Sequence, residues 1–309
     1  MLTRSLFTLL FASALAACGG GGGGGGSAQI FSSWSEIAPN KTLRLTGISL
    51  NRDYTAPAPN YTVTEISPLN TEDSTFSISY DSQPDIASIQ LTTGSKTQTF
   101  STSAGDGFAT LGPIFGSKWY KISFAVDQAG QDFGIALNSI YPGVDWSYQT
   151  YGAWYTGGGT GSGYMASTSV GNQTLSSSIP ASGTAVFNGF SSGFALTSDG
   201  ERSIIVSSDF QATADFGSRE VLFAASNSEA AFLNMLETNI DGRFFDYSGT
   251  LTYNSGTNLL AGSLNTSEGI NSTVIAQFYG PNAEELGGVF EVSSPNDVGA
   301  YSGSFGAKR

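Results

Sequence analysis

Short stretches of alternating apolar and polar residues run along most of the chain, and they predict β-strands. Pro, Asn, Asp and Gly separate these stretches, as turns require. In the first half they are Leu43-Arg-Leu-Thr, Tyr61-Thr-Val-Thr-Glu-Ile, Thr75-Phe-Ser-Ile-Ser-Tyr80, Ile86-Ala-Ser-Ile-Gln-Leu-Thr and, most strongly, Lys118 to Val126. The pattern predicts a sheet-rich domain over residues 30–144.

A second series of alternating stretches fills residues 145–309, after a Pro142-Gly143 turn that we interpret as a domain hinge. The stretches begin at Asp145, Thr184, Gly193, Ser203, Glu220, Tyr247, Leu259, Thr273, Gly288 and Gly299. About eight of these roughly ten candidates are expected to close into an antiparallel up-and-down β-barrel, because closure removes unpaired strand edges. The overall prediction is therefore an all-β chain of two domains.

One segment of the second half departs from the alternating pattern. Ser228 to Leu236 places Ala, Leu and Met at a helix-like spacing after Asn227, which predicts a short helix or a covering loop. A membrane-spanning barrel of the porin type is the rival interpretation of the second series. It is disfavoured because the strands lack a continuous apolar band that would face lipid.

The N-terminus has the pattern of a secretory signal. Met1 to Arg4 is followed by a short apolar run and then by Leu15-Ala-Ala-Cys18. These four residues resemble the lipobox of bacterial lipoproteins, and the resemblance implies cleavage after residue 17 and lipidation of Cys18, with palmitate as one acyl chain. Residues 18–29 then form the lipidated cysteine and a glycine-rich tether. We therefore expect a lipoprotein anchored in the outer membrane, with its body on the cell surface.

Composition excludes several classes of function. The chain contains 309 residues and no histidine, which removes the commonest general base and the usual zinc and haem ligands. Its net charge of −13 disfavours nucleic acid as a partner, because phosphates would be repelled. Carboxylate pairs such as Glu284 with Glu285, or Asp209 with Asp215, lack a supporting base and spacing. We therefore expect no enzyme activity, no cofactor and no metal, and we interpret Glu284 and Glu285 as solvated turn charges.

The C-terminus carries a pattern that identifies a family. It reads Gln277-Phe-Tyr-Gly-Pro-Asn-Ala-Glu-Glu-Leu-Gly-Gly-Val-Phe290 and then Gly299-Ala-Tyr-Ser-Gly-Ser-Phe-Gly-Ala-Lys-Arg309. These residues resemble the last hairpins of the barrel in the transferrin-binding protein B family of surface lipoproteins. Tyr151-Gly-Ala-Trp154 resembles the opening strand of that barrel, and Ser208-Asp-Phe with Asp215-Phe-Gly resembles its middle strands. The resemblance implies a barrel over 145–309 and a handle-like domain over 30–144.

The resemblance also implies a receptor rather than an enzyme. We expect it to bind a host protein or an iron or haem source, and to pass it to a transport system such as a TonB-dependent outer-membrane transporter. The alternative is an adhesive or structural surface lipoprotein without a transport partner. Because exposed aromatics often anchor a protein partner, we predict ligand contacts at Trp154, Tyr155 and Tyr164, around the glycine-rich segment 157–163.

Overall fold

A computed structural model of the chain describes residues 29–36, 38–58, 62–82, 85–111, 122–128, 133–137, 146–157, 161–196, 203–232, 241–265, 271–293 and 300–309. Nearly all regular structure in these ranges is β-strand, which confirms the all-β prediction. The described helices are single 3₁₀ turns at Trp34–Glu36, Thr102–Ala104, Ser176–Ser178 and Gly242–Phe245. The predicted hinge at Pro142-Gly143, Cys18 and the predicted tether up to residue 28 lie outside the described residues.

The first eleven strands form one large sheet. They are β1 (Gln29–Ile30), β2 (Thr42–Thr55), β3 (Glu65–Ile66), β4 (Asn70–Tyr80), β5 (Ile86–Thr93), β6 (Lys96–Ser101), β7 (Gly107–Leu111), β8 (Ile122–Val126), β9 (Phe133–Leu137), β10 (Gln149–Tyr155) and β11 (Ser162–Gly171). The order across the sheet is β6-β5-β4-β2-β11-β10-β9-β8-β7, with β1 and β3 paired to β2.

The sheet is curled, because its two edge strands follow each other in sequence. Only residues 102–106 separate β6 from β7. Asp106 fixes this connection by accepting hydrogen bonds from the backbone N–H groups of Ser101 (2.8 Å) and Gln128 (3.0 Å). The concave side encloses a core of aliphatic and aromatic side chains in which Trp34, Trp146 and Trp154 are all buried.

The remaining eight strands form a closed antiparallel barrel, as predicted. They are β12 (Thr184–Leu196), β13 (Ser203–Asp215), β14 (Glu220–Phe232), β15 (Tyr247–Thr252), β16 (Leu260–Asn265), β17 (Asn271–Tyr279), β18 (Glu285–Ser293) and β19 (Ala300–Lys308). Each strand pairs with the next, and β19 pairs with β12. The predicted stretches beginning at Thr184 and Gly193 are one continuous strand, β12.

The strand at 149–155 is not part of the barrel, which corrects the predicted opening strand and the start of the barrel at residue 145. β10 pairs with β9 and β11 in the large sheet, and the barrel begins at Thr184. Its residues Gln149 to Trp154 are all buried, because one face packs into the core of the sheet and the other packs against the barrel.

The predicted helix at 228–236 is also wrong where the structure describes it, since β14 continues to Phe232. Asn227 has a positive φ of 54° and the register shifts beside it, which marks a β-bulge. The extra residue moves the buried positions from Phe223 and Ala225 to Ser228 and Ala230. The resulting three-residue step imitates helical spacing in the sequence.

Aromatic rings fill the inside of the barrel. Phe210 stacks on Phe305 with ring centroids 4.3 Å apart, and Phe223 stacks beside both. Tyr247 packs against Phe290 at 4.7 Å. Such stacked rings contribute about 1 kcal/mol per pair beyond the burial of their area. In the described part of the chain, the barrel interior is thus a packed aromatic core.

Candidate functional site

The sheet packs along one side of the barrel, and small residues on the barrel make this close approach possible. Gly287 in β18 faces Gln149 and Ser169, and Gly306 in β19 lies beneath the ring of Tyr151. A Cβ atom at either glycine would overlap these neighbours. The barrel therefore presents a smooth wall to β10, β11 and β2.

Buried hydrogen bonds fasten the sheet to this wall. The side-chain amide of Gln149 donates to the carbonyl oxygens of Leu286 (3.0 Å) and Ala307 (3.3 Å), which lie on two different barrel strands. The hydroxyls of Ser169 and Tyr279 are 2.9 Å apart. Because these polar groups are buried, each bond also avoids the cost of an unpaired donor or acceptor.

Glu285 connects the barrel to the start of β10. Its carboxylate accepts hydrogen bonds from the backbone N–H groups of Ser147 (2.6 Å) and Tyr148 (3.0 Å), and the residue is 2% exposed. Burial raises the pKa of Glu285 to about 7, although these hydrogen bonds and the charge of Lys308 act in the opposite direction. The prediction that Glu285 is a solvated turn charge is wrong, because the sheet covers it.

Glu284, its neighbour, has a different role. Its carboxylate accepts from the backbone N–H of Asn282 (2.8 Å) and from the Asn282 side chain (3.0 Å), which closes the turn between β17 and β18. These hydrogen bonds and Arg309 lower the pKa of Glu284, against the effect of its partial burial. The two glutamates of the C-terminal signature thus stabilise a turn and a domain contact, respectively.

A buried ion pair joins the sheet and the barrel nearer the other end of β18. Arg52 of β2 pairs with Glu291, and it also donates to the carbonyl oxygen of Ser67 and the hydroxyl of Ser293, both at 3.1 Å. Burial raises the pKa of Glu291 to about 7, while Arg52 lowers it. This pair and Glu285 hold the sheet to the barrel at two separate places.

The two ends of the barrel differ in the length of their connections. At one end the turns 216–219, 253–259 and 280–284 are short. At the other end the longest connection of the barrel, residues 233–246, joins β14 to β15. Its described part carries Phe244, which is 62% exposed.

The backbone around Phe244 is held in place on both sides. Gly242 packs against the backbone of Ser228, and Asp246 accepts a hydrogen bond from the Ser228 N–H at 3.0 Å. Phe245 is buried against Tyr301 in the barrel. Phe244 is therefore an exposed apolar side chain on a fixed turn, which is the geometry of an anchor residue at protein interfaces.

An exposed ion pair lies beside Phe244. Arg243 donates from Nε and Nη2 to the two oxygens of Asp241, at 3.0 and 2.8 Å. These hydrogen bonds lower the pKa of Asp241. The turn thus presents one aromatic ring flanked by one carboxylate and one guanidinium, a combination that suits contact with another protein.

The predicted ligand contacts occupy a different position. Trp154 in β10 is 2% exposed, so the expectation that it is an exposed loop aromatic is wrong; its indole N–H donates to the Tyr164 hydroxyl at 3.3 Å. Tyr155 is half-buried with its ring against Phe194. Lys96 covers the ring of Tyr164, with Nζ 5.0 Å from the ring centroid. The structure brings Trp154 and Tyr164 together at the margin of the sheet core and places Tyr155 against the barrel, and the role of all three in ligand binding stays a prediction.

Within the described residues, no cluster of three or more carboxylate or thiol side chains is arranged to hold a metal ion. No helix in the described part of the chain has both the length and the apolarity that a membrane crossing requires.

The barrel has a recognisable family. Residues 179–309 match the model described as the C-lobe and N-lobe beta barrels of Tf-binding protein B, and this range contains all eight barrel strands. The barrel belongs to the transferrin-binding protein B family. The match confirms the family that the C-terminal signature indicates. It begins at residue 179, close to the first barrel strand, and not at the predicted residue 145.

Solved transferrin-binding protein B structures also resemble the chain. A mutant protein from Haemophilus parasuis is 13% identical, with 86% of this chain and 76% of that chain covered and a TM-score of 0.41. A mutant protein from Actinobacillus pleuropneumoniae is 12% identical, with 85% and 99% covered and a TM-score of 0.42. The protein from serogroup B Neisseria meningitidis is 13% identical, with 88% and 77% covered and a TM-score of 0.33. No curated protein sequence matches the chain.

The sequence pattern does not reveal the positions of two residues of the transferrin-binding protein B-type barrel. Phe244 lies in Arg243-Phe-Phe-Asp246. The sequence alone does not show that the turn exposes the first phenylalanine and buries the second. Glu285 was placed on the surface because glutamate is rarely buried. The signal that marks Glu285 is its position: it is the first residue of β18, on the wall that faces the sheet.

Proposed function

We propose that the chain is a surface lipoprotein that captures a protein ligand at the barrel end that carries Phe244. The observation that carries the proposal is the exposed ring of Phe244 on a fixed turn of a transferrin-binding protein B-type barrel. A fixed apolar side chain loses little conformational entropy on binding, so it contributes more to affinity than a mobile one. Its neighbours Asp241 and Arg243 supply polar contacts at the rim.

The packed barrel favours a protein ligand over a small one. Haem inside the barrel would have to displace the stacked rings of Phe210, Phe223 and Phe305. Removing such packing costs about 3–5 kcal/mol for each large side chain. The chain also lacks histidine, the commonest protein ligand of haem and transition metals. We therefore infer that iron, if the system transports it, arrives within a carrier protein.

The family model that the barrel matches is described as that of a transferrin-binding protein, so iron-loaded transferrin is the first ligand to test. We further propose that acylation of Cys18 anchors the chain in the outer membrane, and that a TonB-dependent transporter receives the captured cargo. The lipobox pattern Leu15-Ala-Ala-Cys18 supports the anchor. Stable anchoring needs at least two acyl chains, which the triacylated form of this class of lipoprotein provides.

Binding of defined carriers to the purified chain tests the function. Iron-loaded transferrin, iron-free transferrin, haemoglobin and serum albumin are passed in turn over the immobilised protein, and an absorbance scan of the eluate detects haem. Saturable binding of an iron or haem carrier, with albumin as the negative control, is the expected result. Binding to cells or matrix without binding to any carrier would instead favour the adhesive alternative and would contradict the receptor.

Metabolic labelling tests the anchor separately. Cells that express the wild-type chain should incorporate labelled palmitate into it, and Cys18→Ala should abolish both the label and membrane association. Equal label in the two proteins would contradict lipidation at Cys18.

A further inference from the structure

A cleft of about 450 Å³ lies between the outer wall of the barrel and the start of β10, away from the end that carries Phe244. Its size falls within the range of small-molecule sites, about 300–1,000 Å³. Barrel side chains form its floor, and Trp146 of the sheet closes one side. Lining residues are Trp146, Asn188, Phe190, Asp209, Gln211 and Lys308.

Strand register brings the polar groups of the floor into two adjacent rows. Lys308, Asn188 and Gln211 lie opposite one another across β19, β12 and β13. Phe190 and Asp209 form the next row across β12 and β13. Because alternate residues of a strand point to the same face, all five side chains project outward from the barrel.

A β-bulge in the barrel lies beside the cleft and orients one of its side chains. The β-bulge at Asn227 lies opposite Ser208, next to Asp209, and the Asn227 side chain donates to the Asp209 carboxylate at 2.9 Å. Bulges are frequent beside binding and active sites, where they re-aim side chains. Here the bulge directs an amide onto the only carboxylate among the lining residues of the cleft.

The charges of the cleft are already engaged, which argues against an ionic ligand. Asp209 holds the amide of Asn227, and Lys308 lies close enough to Glu285 to lower its pKa. The cleft carries one acidic and one basic residue, so their charges cancel. An anion, a cation or a zwitterion would compete with these internal contacts.

The remaining groups suit a neutral ligand rich in hydroxyl groups. The side-chain amides of Asn188 and Gln211 are bonded to each other at 2.9 Å, and together they offer both donors and acceptors. Sugar hydroxyls also donate and accept, and the apolar face of a sugar ring packs on an aromatic side chain such as Phe190. We propose that this cleft is a binding site for a neutral saccharide.

The saccharide site is independent of protein capture at Phe244, because the two surfaces share no residues. A chain that binds no iron carrier can still bind the sugar, and the reverse also holds. Each proposal therefore has its own outcome.

Titration of the full chain with defined sugars, followed by two-dimensional NMR of the backbone amides, tests this site. The probes are glucose, galactose, N-acetylglucosamine, maltose and lactose, with the zwitterion glycylglycine and inorganic phosphate as charged comparators. At least one neutral sugar should shift the amides of residues 188–190 and 209–211 in a saturable manner. The comparators should leave these amides unchanged.

Two variants and a matched control complete the test. Gln211→Ala and Asn188→Ala should each weaken sugar binding about tenfold, the effect of roughly 1.4 kcal/mol of lost contacts. Thr213→Ala, an exposed position on the same strand and outside the cleft, should bind as the wild type does. The proposal is overturned if no neutral sugar shifts these amides, if glycylglycine or phosphate shifts them instead, or if binding survives both cleft variants.

Discussion

The sheet covers one outer wall of the barrel and leaves the opposite wall open, and the two walls differ in their patterns of burial. On the open wall, β15 alternates between buried and exposed positions, as the half-buried strand pattern predicts. On the wall covered by the sheet, all but the last residue of β18 is buried. The covered part of β18 contains Gly287, Glu285 and Glu291, and its Val289 packs with Ile275 of β17 against the sheet. Close approach at glycine, buried hydrogen bonds and apolar contacts therefore act together to hold the sheet to the barrel.

The largest effect is expected from breaking the buried ion pair of the covered wall. Arg52→Met leaves Glu291 buried without its partner, and we expect a loss of about 3–5 kcal/mol in the free energy of unfolding at pH 8. The loss should shrink at pH 5.5, where Glu291 is protonated. Chemical denaturation at the two pH values measures it.

A second substitution is the control for this prediction. Glu291→Leu added to Arg52→Met removes the buried charge and should recover most of the loss, since apolar replacement of a whole buried pair is often neutral. If the double variant is as unstable as Arg52→Met alone, the buried ion pair does not account for the loss in the free energy of unfolding.

The second effect is the pH dependence of stability. The pKa of Glu285 and of Glu291 is about 7 in the folded chain, against an ordinary value of 4.5, so the folded state holds protons that the unfolded state releases. The contribution of each group is fully present below about pH 4.5 and is lost as the pH rises to about 7. We expect a decrease of roughly 3 kcal/mol per group between these values.

Glu285→Gln isolates the contribution of Glu285 to this pH dependence. The variant cannot titrate, so its stability should fall less between pH 5 and 8 than that of the wild type. Parallel curves for the two proteins, from thermal unfolding across the pH range, would contradict the raised pKa of Glu285.

A third prediction tests the close approach of the sheet to the barrel at Gly306. Gly306→Val places a side chain where Tyr151 lies, and overpacking of this kind costs about 1–3 kcal/mol. Ser263→Val on the exposed face of β16 is the matched control, because nothing covers that position within the described part of the chain. Equal melting temperatures for Gly306→Val and wild type would show that the sheet does not pack as described.

The smallest effect is expected on the open wall. Leu222 is 54% exposed on β14, so Leu222→Ser should change the free energy of unfolding by less than about 0.5 kcal/mol. Denaturant titration checks this value. A loss above about 2 kcal/mol would show that another part of the chain covers this wall.

The same contrast explains what the sequence could predict. Alternation identified the barrel strands and their number, because the interior side chains are large and the open wall is polar. It failed at Gln149–Tyr155, where burial on both faces removes the signal that assigns a strand to one sheet or another. It also failed at Asn227, where a single inserted residue changes the period.

The candidate site was harder to predict than the fold. Aromatic content selected Trp154, Tyr155 and Tyr164, but Trp154 belongs to the core and Lys96 covers Tyr164. Phe244 and Phe245 are adjacent and identical in sequence, and only the 3₁₀ turn makes one exposed and the other buried. Exposure of a single ring depends on contacts with Ser228 and Tyr301, which are distant along the chain.

Protein capture through Phe244 is tested most directly by comparing two exposed apolar residues of the same barrel. The affinity of the wild type, Phe244→Ser and Leu222→Ser for the bound carrier protein is measured by surface plasmon resonance. The account predicts that Phe244→Ser weakens binding at least thirtyfold, equivalent to about 2 kcal/mol for an anchor residue, while Leu222→Ser binds as the wild type does. Equal affinities for Phe244→Ser and the wild type, with both proteins folded, would contradict it.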